Sequence, residues 1–341
     1  MPRQTPNRTS TPATETGSDS TSSDIMSLFN TTLSLHRISP LFIGTEYLTP
    51  ARLQHFAGRL RDTLVGDVVR GVEVGLDGSD AAMGNAGALE DVLFDWINVD
   101  SVVSTEQRAL QLSLQYENAL SIALLLPSRE DAAAPAKSSF VHLPLLLLRM
   151  PTPLKAVVME FLSSTFDCRV GPLRLGNNDL INGLEGWIQE AGLPTSGVLA
   201  KDAVLTLGFR LPKPKKPLVP VGEAAEVDGA DGSGIKSIDI IIPSHDLRRF
   251  HRAGRTVNGG DAHRPFFTAV ALYIKHHLAL DMSHPNVRIT RIAFGGFVLS
   301  ENRLKLFAAP DGTVTTSTQR AAVQQLVENL VERAKGSMPA P

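Results

Sequence analysis

The sequence predicts an α+β fold with mainly antiparallel sheets, flanking helices, two sub-domains and a disordered N-terminal tail. Short runs of alternating apolar and polar residues follow one another as hairpins, and the regular strand–helix–strand alternation of a parallel sheet is missing. Other stretches carry apolar residues at helical spacing and predict helices that cover the strands. With 341 residues, of which 43% are hydrophobic, the chain can bury a sizeable core.

The N-terminal part predicts a strand around Leu33, a helix, a hairpin, a further strand and a second helix. Each helix is preceded by a Thr-Pro pair, Thr49–Pro50 and Thr152–Pro153, which indicates an N-cap followed by a proline at the first helical position. The hairpin turns at Glu117–Asn118, between two alternating runs. The leucine-rich run 140–148 is too short to span a membrane, so we expect a buried strand there.

Changes in composition divide the chain into segments. Residues 1–24 hold eleven Ser or Thr residues and almost no apolar ones, which predicts a disordered tail. Residues 212–234 combine four prolines, a basic cluster and an acidic, Gly-rich tract, and they predict a flexible insertion or linker. The expected domains are therefore an N-terminal α+β domain, 25–211, and a C-terminal α+β domain with a hairpin, 235–336.

The stretch 264–307 has the clearest pattern in the C-terminal part. A helix with apolar residues at i+4 spacing is followed by a strand whose apolar residues change sides halfway. Either both faces of this strand are covered or a bulge shifts its phase, and Gly295 and Gly296 fit a bulge. A tight turn at Glu301–Asn302 then makes a hairpin. An amphipathic helix, 321–331, follows near the end of the chain.

Composition excludes several classes of protein. The formal net charge of -2 argues against a molecule that behaves as a polycation throughout, although a local basic patch remains compatible with it. A single cysteine, Cys168, excludes an intrachain disulfide framework and a zinc site with several thiolates, and it favours a reducing compartment. We expect Cys168 to be a core residue. The chain has no apolar run of secretory-signal or transmembrane character, so we expect no association with a membrane.

Residue types with catalytic potential occur without the spacing that catalysis needs. The run Ser244–His245–Asp246 has the members of a hydrolase triad, but contiguous residues cannot face one another as nucleophile, base and orienting group. We expect these residues to begin a helix as N-cap and first turn. The pair His276–His277 and His284 could suggest a metal, yet adjacent helical side chains point about 100° apart. We therefore expect no catalytic residue, no metal, no cofactor and no enzyme activity.

Basic clusters are the functional signal that has a physical mechanism, because cationic side chains neutralise phosphates. One cluster on a predicted helix gives the candidate DNA-binding residues Arg248, Arg249, Arg252 and Arg255. A second cluster beside prolines is formed by Lys213, Lys215 and Lys216. The alternative is that both clusters are solvated surface.

Two parts of the sequence resemble one known family. The run HRPFFTAVALYIKHHLALDMSHPNVRITRIAFGGFVLSENRLKLF resembles the C-terminal part of fungal members of the centromere protein L (CENP-L) family. The runs SLFNTTLSLHRISPLF and LTPARLQHFAGRLRDTLVGDVVRGVEVGL resemble its N-terminal part. The resemblance implies a non-catalytic inner-kinetochore subunit, located in the nucleus at the centromere, that helps to anchor the kinetochore at centromeric chromatin.

The resemblance also implies partners. It implies that the C-terminal sheet pairs edge to edge with a CENP-N-like subunit or with a second copy, and that other inner-kinetochore subunits and centromeric nucleosome DNA lie nearby. The acidic tract near 222–234 departs from the family pattern, so the lysine cluster before it has little family support. The matching segments give these candidate partner-binding residues: Val287, Ile289, Ile292, Phe294, Phe297, Leu299, Leu304, Lys305 and Leu306.

Alternatives to this hypothesis stay open at the level of sequence. The hairpin edge is either free for a partner strand or covered within the chain, for example by the helix 321–331. The alternative functions are a standalone DNA-binding clamp and an uncharacterised hydrolase.

Overall fold

The strands and helices of the chain come from a computed structural model that describes residues 29–69, 86–99, 108–128, 139–193, 200–210, 235–257, 261, 263–308 and 317–336. The strands are β1 (Thr32–Ile38), β2 (Leu41–Phe42), β3 (Leu89–Asn98), β4 (Arg108–Tyr116), β5 (Ala119–Leu126), β6 (Phe140–Val141), β7 (Leu145–Arg149), β8 (Val170–Pro172), β9 (Ala203–Phe209), β10 (Ser237–Ile242), β11 (Val287–Phe294), β12 (Phe297–Ser300) and β13 (Arg303–Leu306). The helices are α1 (Pro50–Val69), α2 (Thr152–Phe166), α3 (Asn177–Ala191), α4 (Leu247–Arg255), α5 (Pro265–Leu278) and α6 (Ser317–Gly336). The predicted tail 1–24, the predicted insertion 212–234 and its lysine cluster lie outside these residues.

The predicted elements are found near the expected places, with three corrections. The predicted N-cap at Thr152 is wrong, because Thr152 is the first residue of α2, its N-cap is Pro151, and no side chain makes a capping hydrogen bond. The α+β class is confirmed, as are the hairpin of β4 and β5 and the hairpin of β12 and β13. The run 140–148 is not one strand but two, β6 and β7, and they are separated at Pro144, which has no N–H to donate to a ladder. The predicted bulge exists, but it lies at Thr290 in the pairing of β11 with β9, and the two glycines form the turn after β11.

Most strands belong to one mainly antiparallel sheet. Its order is β10-β9-β11-β12-β13-β1-β7-β5-β4-β3, with β8 also paired to β1, and β2 and β6 form a separate two-stranded ribbon. Strand β1 joins the two parts of the chain, because Leu33 lies opposite Leu304 of β13 and Leu35 lies opposite Leu147 of β7.

The pairing of strand β9 is relevant to the predicted division of the chain into two domains. It precedes residues 212–234, yet it pairs with β10 and β11, which follow them. Within the sheet β9 therefore lies among the C-terminal strands. The division into folding units 25–211 and 235–336 stays a prediction.

The two faces of the sheet bury two hydrophobic cores. In β7, Leu145 and Leu147 face a first core that contains residues of α3, α5 and α6, whereas Leu146 and Leu148 face a second core under α1 and α2. In a strand with both faces covered, the side chains on both faces are apolar, so its sequence is a continuous apolar run. This explains the four successive leucines of β7. The second core contains no residue of β9 to β13, so helices α1 and α2 cover only the N-terminal half of that face.

Cys168 is a core residue, as predicted. It is buried in the second core, and its Sγ donates a hydrogen bond to the carbonyl oxygen of Leu162 at 3.3 Å. Burial raises the pKa of its thiol to about 11, so the thiol stays protonated and unreactive at neutral pH. None of the helices in the described ranges is long and apolar enough to cross a membrane.

Candidate interaction surface

The residues predicted to bind a partner lie in β11, β12 and β13, and these strands are inside the sheet. Strand β11 pairs with β9 and β12, and β13 pairs with β12 and β1. Lys305 lies opposite Val298 of β12 on one side and Thr32 of β1 on the other. Of the two alternatives for the hairpin edge, a free edge is therefore excluded. The edge is covered within the chain, and neighbouring strands rather than the C-terminal helix cover it.

The apolar members of this set are core residues. The bulge at Thr290 restores the phase of β11, so that the apolar side chains on both sides of it point toward the helices. Lys305 points to the opposite face, where its Nζ lies 5.3 Å from the centroid of the Phe307 ring. Partner binding by these residues stays a prediction. The buried ones cannot touch a partner and can contribute to binding only by stabilising the strands to which they belong. The buried ones are Val287, Ile289, Ile292, Phe294, Phe297, Leu299, Leu304 and Leu306.

Strands β10 and β3 lie at the two ends of the long sheet order, and in the described part of the chain each of them has a neighbour on one side only. Strand β3 carries features that discourage strand addition, because Glu90, Asp91 and Asp95 are exposed and a bulge at Glu90 interrupts its ladder. Strand β10 exposes 61% of Ile241, and Ile235 just before it is 65% exposed. Of the two edges, β10 is the one suited to pairing with another strand.

A groove of about 460 Å³, which we call the β10 groove, runs between β10 and the helices α4 and α5. Ile240 and Ile242 point toward the helices and Ile241 points away, so a groove that contacts all three reaches the backbone at the strand edge. Phe250 and Tyr273 form an aromatic wall, with ring centroids 5.4 Å apart in an edge-to-face arrangement of 88°. The lining residues are Ile240, Ile241, Ile242, Pro243, Asp246, Arg249, Phe250, Ala253, Val270, Tyr273 and His277.

A second hollow of about 600 Å³ lies at the beginning of β10, where α5 has ended. Ile238 and Phe209 line it from the sheet, and Leu280 lines it from the chain that follows α5. At its rim, Lys275 donates a 2.9 Å hydrogen bond to Asp281 and holds the pKa of that carboxyl below its usual range. Hollows therefore flank the edge strand at both of its ends.

Helix α4 carries the four arginines predicted to bind DNA. Arg248, Arg249, Arg252 and Arg255 are all exposed, and in the described part of the chain none of them forms an ion pair with a carboxylate. Burial, and then the charge of Arg255, lowers the pKa of His251 on the same helix, so His251 adds little positive charge at neutral pH. Arg249 also lines the β10 groove, so this basic helix lies beside the free edge of the sheet.

The comparison with known families covers nearly the whole chain, because the model for centromere protein L matches residues 27–335. The chain belongs to the centromere protein L family. CENP-L proteins are inner-kinetochore subunits that act in chromosome segregation, and the predicted resemblance is confirmed at this level. The search of curated proteins found no match to the sequence.

The hydrolase-like residues of this CENP-L chain sit at an exposed turn before α4. The backbone N–H of Ser244 donates to Asp202 at 2.9 Å, and His245 Nε2 lies 3.6 Å from Asp246 with 79% of the His245 side chain exposed. The helix begins only at Leu247, so the predicted N-cap at Ser244 is corrected to Asp246. These contacts form a turn rather than a buried triad.

His276 and His277 are exposed on α5, and His284 is exposed on the chain after it. The rings of His276 and His277 meet edge to face with centroids 4.9 Å apart, and His277 also stacks against Tyr273 at 4.3 Å. His284 Nδ1 accepts a 3.2 Å hydrogen bond from the backbone N–H of Asn286. No group of three or more His, Cys, Asp or Glu residues in the described ranges is placed to hold a metal ion.

The sheet face opposite the first core is partly exposed across β9 to β13, and it carries paired charges. Arg288 lies 3.1 Å from Glu301, and Arg291 lies 3.8 Å from Asp239. Asp239 also accepts a 2.6 Å hydrogen bond from the hydroxyl of Thr206. This face therefore carries exposed ion pairs with charges of both signs. Each exposed pair contributes at most about 1 kcal/mol to the stability of the fold.

The sequence reasoning missed the β10 groove and its aromatic wall. Three successive isoleucines, 240–242, were a usable signal, because one of them must point away from the core in an edge strand. Leu272 and Tyr273 were a second signal, since they lie off the apolar stripe of α5 and are each 48% exposed. The groove itself depends on how the three successive elements β10, α4 and α5 pack together, and the spacing of apolar residues within each element does not show that packing.

Proposed function

We propose that this CENP-L chain is a non-catalytic inner-kinetochore subunit that pairs through β10 with a CENP-N-like subunit and helps to anchor the kinetochore at centromeric chromatin. The observation that carries the proposal is the edge of β10, which pairs with no second strand among the described residues and has exposed Ile235 and Ile241 beside it. Family membership supports the kinetochore setting, in the nucleus at the centromere. The surface differs from the predicted one, since the pairing strand is β10 and not the hairpin.

Physical reasoning supports strand addition at this edge. A partner strand gives hydrogen-bond partners to the backbone groups that β10 turns away from β9, and it covers exposed apolar side chains in the same step. Burying an isoleucine side chain of this kind contributes about 1.5–3 kcal/mol. The exposed carboxylates of β3 oppose the same reaction at the other end of the sheet.

The experiment is a tagged pull-down from the native source, read by mass spectrometry, with two matched variants. Ile241→Lys places a charge on the β10 edge, and Leu93→Lys places one at a position that is 54% exposed on β3. We expect kinetochore subunits to be recovered with the natural chain and with Leu93→Lys, and to be lost with Ile241→Lys. Recovery of the same subunits with folded Ile241→Lys would rule out pairing through β10.

A second candidate function is contact with DNA through α4. The observation that favours it is that four guanidinium groups on one short helix are exposed and have no carboxylate partner within the described ranges. Such groups bind phosphates and release counterions, which makes the affinity depend on salt and not on base sequence.

The test of this candidate changes the four arginines of α4 together to glutamate and measures binding to duplex DNA over a range of salt concentrations. If all four contact phosphates, the slope of log K against log salt should become shallower by roughly 3–4. Arg59→Glu with Arg61→Glu on α1, both exposed, is the control and should leave the slope unchanged. An unaltered slope in the α4 variant would exclude this helix from the DNA contact.

A further inference from the structure

The β10 groove specifies what kind of segment can pair with this edge. We infer that the partner contributes an extended segment that places an aromatic side chain in the β10 groove and a carboxylate beside Arg249. This inference rests on the proposed pairing through β10 and adds the chemistry of the segment that is recognised.

The position of the groove fixes which side chains of an added strand can enter it. Alternate residues of a strand next to β10 point toward α4 and α5, on the side of Ile240 and Ile242. The groove reaches the strand edge on this side, because it contacts Ile241 as well as its two neighbours. One helix-facing residue of the added strand therefore points into the groove.

The walls of the groove favour an aromatic ring at that position. Phe250 meets Tyr273 edge to face at 5.4 Å and also meets the buried Phe266 edge to face, with centroids 6.4 Å apart. Tyr273 is 48% exposed, so a large part of its surface is available for a further ring contact. Aromatic pairs in such arrangements add to the free energy that area burial alone provides, and aromatic residues are typical anchors of interfaces.

Charge at the rim favours a carboxylate on the same segment. Arg249 lines the groove, is exposed, and has no carboxylate in ion-pair distance among the described residues. Asp246, the N-cap residue of α4, lines the groove too, so the incoming acid is accepted on the Arg249 side and disfavoured next to Asp246. A guanidinium binds a carboxylate through two parallel hydrogen bonds, which adds selectivity for Asp or Glu.

The same criteria argue against a second copy of this chain as the occupant. In a pair of β10 strands, the residues offered to each groove would be the helix-facing ones, Ile238, Ile240 and Ile242. This set contains neither a ring for the aromatic wall nor an acid for Arg249. The groove therefore fits a segment of a different protein.

The experiment uses a random library of displayed peptides of roughly nine residues, the length of an ordinary strand. Peptides that bind the full-length chain are selected from it. We expect the enriched peptides to share an aromatic residue and an acidic residue in an alternating apolar pattern. The affinity of one enriched peptide, labelled with a fluorophore, is then measured by anisotropy against four variants. Ala253→Leu fills the groove at an exposed position, and Ala51→Leu adds the same side chain on α1. Arg249→Glu reverses the charge at the rim, and Arg248→Glu reverses a charge that does not line the groove.

We expect Ala253→Leu and Arg249→Glu each to lower the affinity for the peptide about tenfold or more. Both control variants should bind the peptide as tightly as the natural chain does. Enriched peptides without aromatic or acidic residues would overturn the inference, and so would β10 peptides of this chain as the preferred binders. Equal affinity across all four variants would overturn it as well.

Pairing through β10 is tested separately by Ile241→Lys. If Ile241→Lys abolishes partner recovery while the groove variants change nothing, the edge is retained and the groove is excluded. If none of the variants affects partner recovery, the edge and the groove are both excluded.

Discussion

Glu185 accepts a 2.7 Å hydrogen bond from the backbone N–H of Phe267 through its Oε1 atom. Glu185 lies in α3 and is buried, and Phe267 lies in the first turn of α5. The N-cap residue of α5, Arg264, makes no capping bond with its own side chain. A carboxylate from another helix therefore satisfies a donor at the α5 N-terminus, and it ties α3 to the helix that forms one wall of the β10 groove.

The burial of Glu185 gives the stability of the protein a predictable dependence on pH. Burial raises the pKa of Glu185 from 4.5 to about 7, although the N–H groups of Phe267 and Phe266 pull it in the other direction. Since the folded state holds this proton more tightly than the unfolded state, the stabilisation is fully present below pH 4.5. It is lost as the pH rises to about 7, and the loss is about 2–3 kcal/mol.

Glu185→Gln should remove that part of the pH dependence, because the amide oxygen still accepts from Phe267 but carries no charge. The measurement is urea unfolding at pH 5 and pH 8 for both proteins. The natural chain should lose more stability between these values than the variant, and Glu190→Gln, exposed on the same helix, should behave as the natural chain does. Parallel pH profiles for Glu185→Gln and the natural chain would contradict the assignment.

Local patterns predicted the elements of this fold well where the chain signals its own geometry. The Thr-Pro pair predicted the start of α1, where the Thr49 hydroxyl accepts from the backbone N–H of Arg52 at 3.4 Å. The reversal of apolar phase in β11 predicted either two covered faces or a bulge, and the structure contains the bulge. Its position at Thr290 was not predictable, because it is set by the register of β11 with β9, a strand far away in sequence.

The candidate site was less predictable for the same physical reason. The hairpin has the apolar alternation of a strand pair, but this pattern does not reveal whether further strands lie on either side of it. Strand β1, at the other end of the chain, covers β13 through pairs such as Leu33 with Leu304. Which strand lies at an edge is a property of the whole sheet order, and a local pattern contains no information about it.

Asn177 contacts the first half of β11, where β12 does not pair with this strand. We expect its side chain to be required for the stability of the protein. Its side-chain Oδ1 accepts a 2.8 Å hydrogen bond from the backbone N–H of Ile289, and its Nδ2 lies 3.4 Å from the carbonyl oxygen of Val287. Asn177→Ala leaves the N–H of Ile289 without a partner and should cost about 1–3 kcal/mol in the free energy of unfolding. Asn182→Ala, exposed further along α3, is the control in the same denaturation series and should change little. Equal stability of the two variants would show that the Asn177 side chain does not replace the missing strand.

Gly254 permits the close contact between α4 and α5. A Cβ at this position would collide with the backbone carbonyl of Pro265, and backbone atoms cannot move aside as the end of a side chain can. Gly254→Ala should therefore destabilise the protein by about 1–3 kcal/mol or more, measured as a lower urea midpoint. Gly58→Ala in α1 is the matched control, because nothing lies within 4 Å of its added methyl group. That variant should raise stability by about 0.5–1 kcal/mol through helix propensity, and a change of the same sign in both would contradict the packing argument.

Lys305→Pro distinguishes an interior strand from an edge strand. The backbone of Lys305 has β12 on one side and β1 on the other, so its N–H lies within a ladder whichever way it points. Proline removes that donor, leaves a carbonyl without a partner and inserts a ring between paired strands, and we expect a loss of at least about 2 kcal/mol in the free energy of unfolding. Ser237→Pro is the matched control, because the first residue of an edge strand tolerates proline. Its urea midpoint should lie close to that of the natural chain. If Lys305→Pro instead unfolds at the natural midpoint while Ser237→Pro is strongly destabilised, β13 is at an edge, β10 is not, and pairing through β10 fails with the sheet order on which it depends.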